Sequence, residues 1–298
     1  MKILLIGKVG QLGWELHRAL GGLGNLSVFD FPQVDLERPE TIRGLIQNVR
    51  PDLIVNAAAY TAVDKAETEQ DRAWKINAVA PGVLAEEAGK LKAVCIHYST
   101  DYVFDGQKRE PYVETDEPAP INFYGRSKLG GERLVQETDS AYIILRTSWV
   151  YSLRQQGGFV NKVLQWAREK ETMRVVEDQI GSPTWARMLA GLTALLVARG
   201  GSQLYDYVGS RRGIYHAAGS GGVSRLEWAR VILRYDSNPE QQRVKKLEPA
   251  SSSEFPTPAA RPPYSVLNCE RFERTFDLRI PGWEESLQLA MGDRNTGP

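Results

Sequence analysis

The chain contains 298 residues, and its 37 Lys and Arg side chains are balanced by 37 Asp and Glu side chains. A net charge near zero supplies no basic excess of the kind that nucleic acids require, so we predict no nucleic-acid partner. No apolar run reaches the length of a membrane span, which predicts a soluble, cytoplasmic protein without a membrane partner. The two cysteines, Cys95 and Cys269, stand alone and indicate neither a disulfide framework nor a zinc site.

The first half of the chain alternates short apolar segments with amphipathic segments. This alternation predicts an α/β fold, in which a parallel sheet lies between two layers of helices. The apolar segments are almost uninterrupted, as is typical of strands buried on both faces. The predicted strands are 2–6, 26–30, 52–56, 93–99 and 142–146, and the clearest predicted helices are 11–20, 73–90 and 124–136.

A glycine motif follows the first predicted strand and begins the first predicted helix. It consists of Gly7, Gly10 and Gly13, with two residues between successive glycines. Glycines allow a tight turn and the close approach of a pyrophosphate, and a helix N-terminus supplies N–H donors to the phosphates. Strand, loop and helix in this order predict a Rossmann-type, doubly wound parallel sheet that binds a dinucleotide.

Asp30 ends the second predicted strand, about twenty residues after the glycine motif. In this fold an acidic residue at that place hydrogen-bonds the ribose hydroxyls of NAD. A carboxylate there disfavours the extra phosphate of NADP, and no Arg lies between Asp30 and Glu37 to bind that phosphate. We therefore expect NADH to be favoured over NADPH.

The regular alternation of short apolar and amphipathic segments changes after Trp149. We predict a helix at 159–170, a strand at 173–177 and a Pro/Ser-rich loop at 249–263 that lies over a site. The predicted helix 188–198 and strand 214–218 still fit the sheet of the first half. We therefore predict an NAD(P)-binding domain at 1–150, together with about 184–219. A smaller C-terminal substrate-binding region is predicted at 151–183 and 220–298.

Tyr124 and Lys128 lie four residues apart in a predicted helix, which places both side chains on one face. A nearby ammonium stabilises a phenolate, so we expect a lowered pKa for Tyr124 and a role as an acid. Thr100 and Asp101 follow the fourth predicted strand, at the sheet edge where doubly wound folds bind ligands. Thr100 is suited to donate a hydrogen bond to a substrate carbonyl. Trp149 either stacks on a substrate or packs in the core.

Together these residues resemble the extended short-chain dehydrogenase/reductase family. The matching stretches extend in order over nearly the whole chain. They are GKVGQLGWEL, NAAAYTAVDKAE, STDYVFDG, YGRSKLGGE, RTSWVY, DQIGSPT and RPPYSVLN. The resemblance implies a reductase that uses NADH or NADPH. Its implied substrate is the 4-keto group of a dTDP-linked 6-deoxy sugar, a precursor of bacterial surface polysaccharide.

The resemblance also implies roles for individual residues. Tyr124 is implied as the proton donor, Lys128 as the residue that binds the nicotinamide ribose, and Thr100 as a second catalytic residue. The implied cofactor contacts are Gly7, Gly10, Gln11, Leu12, Gly13, Asp30, Asp35, Leu36, Ala59, Tyr60, Thr61, Tyr98, Tyr124 and Lys128. The implied contacts to the nucleotide sugar are Thr100, Asp101, Tyr102 and Trp149.

Several alternatives stay open. Some members of the family use magnesium, but the sequence shows no cluster of ligands, and we predict no catalytic metal. His97 and His216 lie within predicted strands, and we interpret both as core residues.

The oligomeric state is open, with a homodimer as one alternative. The function could also be that of another nucleotide-sugar reductase or epimerase, or of a non-catalytic subunit similar to the regulatory subunit of methionine adenosyltransferase.

Overall fold

The computed structural model describes residues 1–154 and 158–292. Its strands are β1 Lys2–Ile6, β2 Asn25–Phe29, β3 Leu53–Asn56, β4 Val94–Thr100, β5 Ala141–Thr147, β6 Val150–Tyr151, β7 Thr172–Val176, β8 Ile180–Gly181, β9 Thr184–Trp185, β10 Gly213–His216, β11 Val223–Ser224 and β12 Lys246–Ala250. Its α-helices are α1 Gln11–Leu20, α2 Pro39–Val49, α3 Val63–Ala66, α4 Gln70–Trp74, α5 Ala80–Leu91, α6 Phe123–Gln136, α7 Phe159–Glu169, α8 Ala186–Gly200, α9 Leu204–Gly209, α10 Arg225–Arg234, α11 Glu270–Phe276 and α12 Trp283–Gly292.

A parallel sheet of six strands forms the centre of the molecule, in the order β10-β5-β4-β3-β1-β2. The predicted α/β fold is therefore confirmed, and the five predicted strands are correct to within one residue at each end. After β1 the chain first adds β2 on one side and then continues with β3 on the other. This reversal between β1 and β3 opens a crevice at the carboxyl ends of the strands, where doubly wound folds bind ligands.

Helices cover both faces of the sheet because the strands are apolar on both sides. On one face, Leu16 of α1 and Leu196 of α8 are completely buried; on the other, Ile46 of α2 and Leu84 of α5 are completely buried. Within the described ranges, no helix is both long and apolar enough to cross a membrane.

The predicted single helix at 73–90 is wrong in one respect. A π-helical segment, Lys75–Val79, separates α4 from α5. Pro81 has no N–H group, so it cannot donate to the carbonyl oxygen of Asn77 four residues earlier. Gly131 of α6 packs against that carbonyl so closely that a Cβ would lie 2.1 Å from its oxygen. The missing hydrogen bond and the close contact with α6 explain the local widening.

A second apolar cluster lies outside the six-stranded sheet. It combines α7, α10 and α12 with strand β7, which pairs with β12. Trp228 is its largest buried side chain. However, Phe272 and Phe276 of α11 pack in the cluster beside the sheet, so the predicted region 220–298 does not form one packing unit. The division into two domains stays a prediction, and the parts of it at 155–157 and 293–298 lie outside the described residues.

Candidate active site

A cavity of about 430 Å³ opens at the carboxyl ends of β1, β3, β4 and β5. Most of the predicted site residues line it. They are Gly7, Gly10, Gln11, Leu12, Asp30, Ala59, Thr61, Tyr98, Thr100, Asp101, Tyr124, Lys128 and Trp149. Five others lie elsewhere. Gly13 packs beneath the glycine loop, Asp35 and Leu36 line a smaller cavity of about 160 Å³, and Tyr102 packs edge-on against the ring of Tyr124 at 5.8 Å. Tyr60 does not line the main cavity, although its neighbours Ala59 and Thr61 do.

The glycine loop requires glycine for steric reasons at two of its positions. Gly7 has a φ of +96°, and a Cβ there would lie 2.6 Å from the backbone nitrogen of Ala58. A Cβ on Gly13 would lie 1.8 Å from the carbonyl oxygen of Gly7. The loop therefore packs tightly between β3 and α1.

The N-terminus of α1 forms one end of the cavity wall. The helix begins at Gln11, and no side chain caps it. The first backbone N–H groups of a helix have no carbonyl partner within it, and together with the helix dipole they favour an anion. Gln11 and Leu12 both line the cavity. The loop and the helix start therefore fit the pyrophosphate of a dinucleotide.

Asp30 supports the glycine loop from the end of β2. Its two carboxylate oxygens accept hydrogen bonds from the backbone N–H of Val9 at 3.0 Å and of Phe31 at 2.9 Å. Asp30 also lines both the main cavity and the smaller one. Its carboxylate therefore has a structural role that the sequence pattern did not indicate, and it still faces the place predicted for a ribose.

The smaller cavity contains a cation that was not predicted. Arg72, from α4, lines it and donates from Nε to Glu37 Oε1 at 2.9 Å. The guanidinium also lies 5.8 Å from the ring centre of Tyr60. No Arg occurs between Asp30 and Glu37 in sequence, but folding brings one to the same cavity from a distant helix.

Asn77 joins the segment that carries Tyr60 to the helix that carries Tyr124. Its side-chain oxygen accepts from the backbone N–H of Tyr60 at 2.8 Å, and its amide nitrogen donates to Ser127 Oγ at 3.0 Å. The hydroxyl of Ser127 in turn donates to the carbonyl oxygen of Tyr124 at 2.8 Å. Asn77 lies in the π-helical segment, so its place in the site could not be predicted from a regular helical period.

Tyr124 lies in the first turn of α6. Asn122 caps this helix by accepting from the backbone N–H of Gly125 at 2.8 Å. A Cβ on Gly125 would lie 2.1 Å from the carbonyl oxygen of Tyr102, so glycine lets the helix approach the end of β4. Burial raises the pKa of Tyr124, and a hydrogen bond with Thr100 opposes that rise. The expected lowering of the Tyr124 pKa is therefore wrong.

Burial is the main cause of the raised pKa of Tyr124, and Lys128 is not among the described groups that shift it. Lys128 is buried, and its Nζ donates to the backbone oxygen of Tyr98 at 2.6 Å. Nζ also lies 3.3 Å from Nε2 of His97. Burial lowers the pKa of Lys128 to about 8, while the carboxylate of Glu132 raises it.

Asp101 joins three segments of the chain at the cavity end next to β4. Its carboxylate accepts from the hydroxyls of Thr100 at 3.1 Å, Ser148 at 2.9 Å and Ser265 at 2.6 Å. Ser265 belongs to the RPPYSVLN stretch, 164 residues away in the chain. Burial raises the pKa of Asp101, and these hydrogen bonds oppose the rise. The carboxylate is thus occupied with holding its neighbours in place.

Trp149 lines the cavity and also packs in the second apolar cluster. Its backbone has a φ of +43°, in the left-handed region that is unfavourable for a bulky residue. The ring stacks on Trp228 at 5.6 Å between centres, and the guanidinium carbon of Arg225 lies 3.4 Å from the ring centre. Both interpretations of Trp149 agree with this position, and its contact with substrate stays a prediction.

The model of the RmlD substrate binding domain family matches residues 1–295. The chain belongs to this family. A dTDP-4-dehydrorhamnose reductase from Burkholderia thailandensis is 40% identical, and the alignment covers 98% of this chain and 99% of that protein. The enzyme of the same name from Escherichia coli K12 is also 40% identical, with 98% of each chain covered. The resemblance found in the sequence is therefore confirmed.

Solved structures of dTDP-4-dehydrorhamnose reductases agree with the fold. A dTDP-4-dehydrorhamnose reductase from Bacillus anthracis, in complex with NADP, has a TM-score of 0.87 at 34% identity, over 98% of this chain and 99% of that one. A related reductase from Clostridium acetobutylicum has a TM-score of 0.90 at 34% identity, over 99% of this chain and 100% of that one. Among the described residues of the present chain, no three His, Cys, Asp or Glu side chains form a metal-binding group.

Proposed function

We propose that the protein reduces the 4-keto group of dTDP-4-dehydro-6-deoxy-L-mannose and produces dTDP-L-rhamnose, with a nicotinamide cofactor as the hydride donor. One observation carries this proposal. Tyr124, Lys128 and Thr100 line the same cavity as the glycine loop. The chain that places them there matches dTDP-4-dehydrorhamnose reductases over 98% of its length.

The cofactor would occupy the part of the main cavity next to α1 and continue into the smaller cavity. The glycine loop and the first turn of α1 would hold the pyrophosphate, Asp30 the adenosine ribose, and Asp35 and Leu36 the adenine. When bound, the cofactor supplies a hydride to the carbonyl carbon. Asp30 supports a preference for NADH, whereas Arg72 in the smaller cavity supports some use of NADPH.

Tyr124 would be the proton donor of the reaction. A reduction needs an acid that is protonated at the start, and the raised pKa keeps the phenol of Tyr124 protonated at neutral pH. Its proton would pass to the carbonyl oxygen as the carbon accepts the hydride. In the structure, the hydroxyl of Thr100 donates its hydrogen to Asp101. A hydroxyl hydrogen rotates freely, so Thr100 could direct it to the substrate oxygen instead.

Arg225 would bind the diphosphate of the nucleotide sugar. Its guanidinium lies against Trp149 at 3.4 Å and is also close to Phe159, 5.0 Å from the ring centre. Within the described part of the chain, Arg225 has no ion-pair partner, and burial lowers its pKa to about 10. A half-buried cation beside the substrate end of the cavity is a favourable partner for a doubly charged diphosphate.

An apolar hollow on the far side of Arg225 would hold the base. Its volume is about 260 Å³, just under that of pockets that hold whole drug-sized ligands, so it suits one part of a ligand such as a ring. Its walls are mainly aromatic and aliphatic, with Gln179 as a neutral polar group. The lining side chains are Phe159, Trp166, Arg174, Val175, Val176, Gln179, Arg225 and Phe255. This arrangement supports a substrate whose sugar and base lie on opposite sides of Arg225.

Oxidation of NADH in the presence of the dTDP-linked keto sugar tests the proposal, with identification of the product. We expect one dTDP-L-rhamnose for each NADH consumed. A changed sugar without net consumption of NADH would indicate an epimerase, and binding without turnover would indicate a regulatory subunit. The preference for NADH, a cytoplasmic location and a homodimer remain proposals that rest on the sequence.

A further inference from the structure

One buried histidine beside the site has no role in the reaction described above. His97 is only 1% exposed, as predicted for a core residue, and it lies opposite Asn56 in the pairing of β3 with β4. Both of its ring nitrogens have polar neighbours. Nδ1 lies 3.1 Å from Asn56 Nδ2, and Nε2 lies 3.3 Å from Lys128 Nζ.

Ala58, Asn56, His97 and Lys128 form a row of hydrogen-bonding groups. The donor at the Ala58 end sets the direction of the hydrogen bonds along this row. The backbone N–H of Ala58 can only donate, and it donates to Asn56 Oδ1 at 3.2 Å. The other end of the Asn56 amide is therefore the NH₂ group, which donates to Nδ1 of His97. A neutral imidazole that accepts at Nδ1 carries its proton on Nε2. That proton points to Lys128.

We propose that His97 is a positioning residue for Lys128, in which the Nε2–H group donates to the uncharged amine and favours the form of Lys128 that has lost a proton. The proposal rests on the proposed function, because that function places Lys128 at the cofactor. Burial and the nearby Lys128 lower the pKa of His97 well below its ordinary value, so its ring stays neutral. This agrees with the polarity of the row.

The other charged groups near Lys128 do not provide such a donor. Glu132, on the same helix, is a carboxylate that pairs with Arg146 of β5 at 2.7 Å. It favours the charged form of Lys128. Asp101 lies at the end of β4 and is occupied by three hydroxyls. In this proposal the Nε2–H group of His97, 3.3 Å from Lys128 Nζ, acts together with burial against the effect of Glu132.

The test compares the dependence of kcat/KM for NADH on pH in the wild-type enzyme and in His97→Leu. Loss of the Nε2–H donor should move the basic limb of the profile to higher pH by about one unit, a tenfold change in the proton affinity of Lys128. His97→Gln, whose amide can still donate, should restore most of the shift. His216→Leu is the matched control, because His216 is also buried but faces the backbone oxygen of Tyr112. We expect no shift for His216→Leu.

The proposal would be overturned if the basic limb of the pH profile of a folded His97→Leu protein stayed where it is in the wild type, or moved to lower pH. If His97→Leu does not fold, nitrogen-15 NMR of wild-type protein labelled at histidine decides the matter. The chain has three histidines, so the signal of His97 can be assigned with His97→Gln. We expect the Nε2–H tautomer, and an Nδ1–H tautomer would contradict us. This measurement needs no turnover, so it remains decisive even if the proposed substrate is wrong.

Discussion

The side-chain nitrogen of Lys128 lies 2.6 Å from the backbone oxygen of Tyr98. The cation that shares a helix face with Tyr124 is therefore held by strand β4 and not by the phenol. Burial lowers the pKa of Lys128 to about 8, so its charge depends on pH in the neutral to mildly basic range.

This position gives a prediction for the pH dependence of cofactor use. The pKa of Lys128 is lowered to about 8, so the charged form is lost at a lower pH than for a free lysine. If the charged form binds the cofactor ribose, kcat/KM for NADH should fall as pH rises through about 8. Steady-state kinetics from about pH 6 to about pH 10 will measure this limb. A flat profile over that range would contradict the prediction, and Lys128→Met should lack the limb while losing most activity.

Ser265 tests whether the C-terminal stretch RPPYSVLN supports the site. Ser265→Ala removes one of three hydroxyl donors to the buried carboxylate of Asp101. The free energy of unfolding should fall by about 1.5–3 kcal/mol, as is typical of hydrogen bonds to charged groups. The value of kcat should fall as well, because Asp101 also holds Thr100. Denaturant unfolding and kinetics will measure both, with the exposed Ser253→Ala as the control; equal stabilities of the two variants would refute this role.

Cofactor choice depends on two charged groups at the smaller cavity. We expect wild-type protein to prefer NADH, because Asp30 lines the smaller cavity at the place proposed for the adenosine ribose. Glu37→Gln removes the carboxylate that pairs with Arg72, so it should raise kcat/KM for NADPH several-fold and leave that for NADH nearly unchanged. The gain should shrink at high salt. Glu40→Gln, in the first turn of α2, is the control. A wild-type preference for NADPH would show that Asp30 does not determine the choice.

Arg225 provides a test of the substrate side. Arg225→Met keeps an apolar chain against Trp149 but removes the charge. Its affinity for dTDP should fall by about tenfold to a hundredfold, as is typical when a charged hydrogen-bonding partner is lost. Isothermal titration with dTDP alone will measure this without turnover. Arg230→Met, on the same helix and exposed, is the control. Equal affinities of the two variants would place the diphosphate elsewhere.

The local parts of the fold and the site could be predicted from the sequence. The strands were predictable because their residues are apolar on both faces. Gly7 was predictable because it begins a glycine motif between a strand and a helix. Its positive φ and close backbone contact explain why glycine stands there. Tyr124 and Lys128 could be paired because the helical period places residues four apart on one face.

Contacts between distant segments were not predictable. Arg72 reaches the cavity of Asp35 from another helix, and Ser265 reaches Asp101 from a distant loop. The place of Asn77 depends on a π-helical segment, which arises from the missing N–H of Pro81 and the contact with α6. The pKa of Tyr124 was predicted in the wrong direction because sequence spacing shows neither burial nor the hydrogen bond that Lys128 makes to Tyr98.

The most direct test of the proposed function is the single-turnover rate of NADH oxidation by Tyr124→Phe. The change removes one oxygen and keeps the ring, so the fold and the Kd for NADH should remain close to wild type. The carbonyl oxygen would lose its proton donor, and general acid catalysis typically contributes about 10²–10⁴-fold. We therefore predict a fall of that size in the rate of the chemical step. A variant that keeps more than roughly a tenth of the wild-type rate would contradict the assignment of Tyr124 as the acid.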